Sequence, residues 1–113
     1  MGATNFEQIG FGKTVEEAYR NACDEAVWYS GHDAYNGTIS TTHGFIVIPQ
    51  NGRKIRTIIH KYMDDDTGNS PIEKWGRCGA IVLKGTLAKQ YRERNNLQRK
   101  KGVVVLFFGW AAE

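Results

Sequence analysis

Residues 36–44 gather Asn36, Gly37, Thr38, Ser40, Thr41, Thr42, His43 and Gly44 into one short stretch. Hydroxyls and an imidazole donate and accept hydrogen bonds, and glycine leaves backbone N–H groups uncovered. Together they suit the oxygens of a phosphate or another polar ligand. Tyr35 precedes them with a ring for stacking. Further on, the sequence EKWGRCGA sets Trp75 and Arg77 two residues apart. An indole can stack on a base, and a guanidinium can clamp a phosphate through two donors. The predicted ligand-binding set is therefore Tyr35, Asn36, Thr38, Ser40, Thr41, Thr42, His43, Trp75 and Arg77. Its predicted ligand is small and anionic or nucleotide-like. The same residues also fit an edge strand of β-branched threonines after a turn, with Trp75 as a lid on the core. No phosphate-binding P-loop or dinucleotide fingerprint occurs.

Other reactive residues are scattered. His60 and Asp64 stand four apart and could share a metal with His32, but no HExxH motif or paired CxxC supports this. An ordinary helix-surface pair is the simpler reading. No serine, cysteine or carboxylate pair is placed to partner His32 or His43 in hydrolysis. The sequence thus assigns no catalytic residue, metal ligand or cofactor. A small hydrolase is the third-ranked function. Cys23 and Cys78 read as free, buried thiols. Asn36-Gly37-Thr38 matches a glycosylation acceptor, which carries no meaning without secretion.

Charge divides the chain. Residues 1–52 carry two bases and six acids, whereas residues 53–101 carry thirteen bases and five acids. A basic half attracts phosphates, nucleic acid or an acidic partner. The second-ranked function is therefore a protein- or nucleic-acid-interaction module acting through residues 53–101. No recognised nucleic-acid-binding motif accompanies the charge.

The elements that must position these residues follow from pattern. Phe6, Ile9 and Phe11 predict a weak first strand. Thr14 and Glu17 form a capping box that opens a helix ending at Gly31. Ala18, Ala22 and Ala26 make one flat stripe on it, fit to lie close against a sheet or to dock a second copy. Residues 45–48, FIVI, predict a buried strand. Ile55, Ile58, Ile59, Tyr62 and Met63 recur at helical spacing. Residues 80–83 predict a third strand, residues 86–101 a helix or loop, and residues 103–110, VVVLFFGW, a central strand. The order β-α-β-α-β-(α)-β predicts an α+β domain of two layers, with about four strands and helices on one face.

At 113 residues the chain suits a single domain spanning residues 1–113. No apolar run reaches the roughly 18 residues of a membrane span. No export signal opens the sequence. The expected setting is cytoplasmic, with no membrane partner.

The segment GHDAYNGTISTTHGF and the ending VLFFGWAAE resemble small uncharacterised proteins of tailed bacteriophages and their hosts. That resemblance implies an accessory protein acting on a host system from the host cytoplasm, and carries over no activity. The stretch TVEEAYRNACDEA after a strand is also similar to the flavin-binding dodecins, although this chain is longer. The favoured function is a non-enzymatic binder, expected to be a homo-oligomer, that sequesters a phosphorylated or nucleotide-type host signal. Trp28, Tyr29 and Tyr35, around one helix end, are the aromatics expected in a subunit interface.

Overall fold

The computed structural model describes residues 3–30, 38–39, 42–63, 72 and 76–112. Its elements run β1 (Ala3–Gly12), α1 (Val15–Ser30), β2 (Phe45–Val47), α2 (Ile55–Met63), β3 (Cys78–Leu83), α3 (Thr86–Arg94) and β4 (Val103–Ala112). The four strands form one mixed sheet in the order β1-β4-β3-β2. β4 runs antiparallel to both β1 and β3, and β2 is parallel to β3. This is the expected α+β domain with its expected element order, and residues 86–94 resolve as helix.

One expectation is corrected. The helices lie on both faces of the sheet, not on one. Successive β4 residues alternate between two cores. Val105 and Phe107 pack with Ala18, Ala22 and Ala26 of α1. Val104, Leu106 and Phe108 pack with Ile58 and Ile59 of α2, against which Ala88 and Tyr91 of α3 also pack. The physical reason is the continuous apolar run of β4. Residues 104–108 are all buried, and side chains alternate across a strand, so each face needs its own cover.

Local chemistry explains how α1 sits. The backbone N–H of Glu17 donates to Thr14 Oγ1 at 3.2 Å, satisfying one donor of the first turn. The alanine stripe is spent inside the domain, against the sheet, so it is not a docking face for a second copy. Its flatness is matched by glycine on β1. A Cβ on Gly10 would lie 2.5 Å from the Ala18 carbonyl oxygen, so only a bare backbone fits there. Gln8 Nε2 donates to the Ala22 carbonyl at 2.9 Å and Asn21 Nδ2 to that of Phe11 at 2.8 Å, fastening helix to strand.

After α3 the chain returns through residues 95–102 under the control of Arg92. Its guanidinium donates to the carbonyls of Lys100 at 2.7 Å and Gly102 at 2.6 Å. It also lies 5.0 Å from the centre of the Phe11 ring. A cation from the basic stretch is thus used as an internal brace.

Charge follows the layers. α1 carries Glu16, Glu17, Asp24 and Glu25 against one Arg20. α2 and α3 carry Arg56, Lys61, Lys89, Arg92 and Arg94 against one Glu93. The asymmetry between halves of the sequence becomes an asymmetry between faces of the sheet. No helix among the described residues is long and apolar enough to cross a membrane.

Candidate functional site

Thr38, Thr42, His43 and Arg77 of the predicted set fall within the described residues. Tyr35, Asn36, Ser40, Thr41 and Trp75 lie outside them. Thr42 is only 8% exposed. Its hydroxyl donates to the Ile39 carbonyl at 2.7 Å, so in the 2.7 Å contact with Tyr19 Oη the phenol is the donor. The same phenol oxygen accepts the Gly44 N–H at 2.9 Å. Tyr19 belongs to an aromatic cluster, its ring centre 5.3 Å from that of Phe45 and 5.6 Å from that of Phe107. Burial pushes the phenol pKa up to about 12, so it stays a neutral donor. Among the described residues, this end of the hydroxyl segment is tied into the α1 face of the core.

His43 and Arg77 are exposed beside this network. The His43 N–H donates to the Gly76 carbonyl at 2.8 Å, and Gly44 accepts from the Cys78 N–H at 3.0 Å. The structure therefore brings residues 42–44 alongside residues 76–78, uniting two parts of the predicted set. Cys78 is fully buried, and burial raises its thiol pKa to about 12; burial likewise raises that of half-buried Cys23. Neither thiol is activated as a nucleophile. Among the described residues, no group of three or more His, Cys, Asp or Glu could hold a metal ion.

A different place has the shape of a binding site. On the opposite face, α2 and α3 leave between them a groove of about 600 Å³. Ile9, Leu83 and Leu106 supply a floor from three strands, and Ile55, Leu87 and Tyr91 supply walls from the two helices. Lys54, Arg56 and Arg94 line it with positive charge, and Gln50 and Gln90 add amide groups. An apolar cavity of this size with a few convergent polar groups is how small-molecule sites are generally built.

The three cations are not equivalent. Arg56 is held by Glu7 through two hydrogen bonds of 2.6 Å each, which also raises the guanidinium pKa. Lys54 and Arg94 are exposed and make no ion pair among the described residues. Burial raises the pKa of Tyr91, with the charge of Glu25 adding to it, so the groove holds a neutral phenol O–H. The groove lies over the sheet, with Leu83, the last residue of β3, on its floor.

Of the predicted set, the four described residues, Thr38, Thr42, His43 and Arg77, do not line this groove. Sequence reasoning singled out Lys54, Arg56 and Arg94 only as members of a basic half. Their convergence comes from two helices sharing one sheet face, and no sequence spacing records that. Comparison with known protein families, with curated proteins and with solved structures gave no match.

Proposed function

We propose that this protein is a non-enzymatic binder of a small phosphorylated or nucleotide-type ligand, held in the groove between α2 and α3. The observation that supports this reading is the pairing, at one cavity, of an apolar floor with two cations, Lys54 and Arg94, that make no ion pair among the described residues. A flat ring system buries its faces on Ile9, Leu83, Leu106 and Tyr91. A phosphate takes the charge-assisted hydrogen bonds of Arg94 and Lys54. On the likeness to phage accessory proteins, the role is sequestering a host signal, which asks for affinity and no chemistry.

Calorimetry against a panel of mononucleotides and cyclic nucleotides tests this. A lost charge-assisted hydrogen bond costs about 1.5–3 kcal/mol, so Arg94→Ala should weaken binding roughly tenfold to a hundredfold. Arg77→Ala, on the other face's segment, should leave it unchanged. Loss of binding in Arg77→Ala but not in Arg94→Ala would return the site to residues 38–44. No binding by any phosphorylated compound would end the proposal.

A second reading has its own observation. Lys54, Arg56, Lys61, Lys89 and Arg94 are all exposed, on or next to the two helices of one face. A ridge of that kind suits an extended polyanion. Nucleic-acid binding through it should weaken steeply with salt, because each neutralised phosphate releases counterions.

A further inference from the structure

The two edges of the sheet are treated differently. β2 is three residues long and Pro49 follows two residues after it, so that edge offers little to pair with. β1 is ten residues long and contains no proline or lysine. Among the described residues no strand pairs with its outer side. Proteins usually blunt such an edge by shortening it or by placing Lys or Pro on it. The only charged residue of β1, Glu7, is occupied by Arg56 on the α2 face.

A second feature lies beside this edge. Trp28 is 83% exposed, the most exposed large apolar side chain among the described residues. It stands seven residues from Asn21, hence on nearly the same stripe of α1 two turns on. Asn21 marks the flank of the helix that leans on β1, because its amide bonds the Phe11 carbonyl. An open strand and an unburied indole therefore share one border of the molecule.

The geometry points to β1 as a self-association surface, on which β1 of a second copy adds antiparallel to form one continuous eight-stranded sheet. A two-fold axis through Gln8 gives a register without opposed like charges. Glu7 then faces Ile9 of the second copy, and Asn5 faces Phe11. The contact is isologous and closes as a dimer, and Trp28 of each copy lies at its margin. The axis is perpendicular to the sheet, so both basic faces stay on the same side. This inference does not depend on what fills the groove.

Sedimentation velocity of the full chain without added ligand, over a concentration series, reads the assembly. Isotope-filtered NOE spectroscopy on a mixture of labelled and unlabelled protein reads where the copies touch. A dimer is expected, with intermolecular NOEs between β1 strands centred on Gln8, and Trp28→Ala should weaken it tenfold or more while leaving the monomer folded. A monomer at every concentration, or a dimer whose intermolecular contacts lie away from β1, would overturn the inference.

Discussion

Tyr19 Oη and Thr42 Oγ1 lie 2.7 Å apart, and this contact joins α1 to the segment that leads into β2. The Thr42 hydroxyl donates to the Ile39 carbonyl, and the phenol oxygen accepts the Gly44 N–H. Each partly buried polar group is satisfied by the next. Removing the phenol hydroxyl leaves the Gly44 N–H without its acceptor and takes from Thr42 Oγ1 the hydrogen bond it accepts. Tyr19→Phe should therefore destabilise the fold by about 1–3 kcal/mol, and Thr42→Val by about 1–2 kcal/mol. Urea unfolding of both variants beside the parent checks this. Unchanged midpoints would mean the Thr42 hydroxyl faces something other than the core.

The same network predicts the alkaline limit of the protein. Tyr19 and Cys78 have their pKa values raised to about 12 by burial, from ordinary values of 10.0 and 9.0. Below about pH 9 both groups are protonated in folded and unfolded chains alike, and they make stability no function of pH. Above it the unfolded chain releases these protons first. Stability should fall from about pH 9 and lose this contribution as the folded values near 12 are passed. A pH series of thermal unfolding, with Tyr19→Phe as comparison, should show a shallower alkaline fall in the variant.

Arg92 supplies a third test. It donates to the carbonyls of Lys100 and Gly102 and lies over Phe11, so it fixes the chain that enters β4. Arg92→Ala should destabilise by about 1.5–3 kcal/mol, in line with hydrogen bonds to a charged group. Arg94→Ala, two residues on and exposed, should change stability by less than about 0.5 kcal/mol. Hydrogen exchange should show residues 95–102 opening in the first variant and not in the second.

Much of the fold was legible because its signals are local. The spacing of Ile55, Ile58, Ile59, Tyr62 and Met63 predicts α2 with its observed ends, and the hydroxyl of Thr14 marks the start of α1. β1 was faint because it is an edge strand. Gly10 and Gly12 replace apolar residues where the helix lies on them, so its pattern of alternation is weak. The two-faced packing was present in VVVLFF, whose unbroken apolar run already demands cover on both sides. The groove was not legible. Its floor and walls come from β1, α2, β3, α3 and β4, and no interval in the sequence brings Lys54 to Arg94. The hydroxyl segment stood out by composition, yet at Thr42 its hydrogen-bonding capacity is used to hold α1.

The groove between α2 and α3 is proposed to take a small phosphorylated ligand. An amide NMR titration with nucleoside monophosphates and cyclic nucleotides tests it most directly, because it locates binding residue by residue even when affinity is weak. Saturable shifts are expected, confined to the groove at Lys54–Arg56, Leu87, Tyr91 and Arg94, that largely disappear in Arg94→Ala. No saturable shift with any phosphorylated compound, or shifts confined to Gly44 and Arg77 on the far side of the sheet, would contradict it.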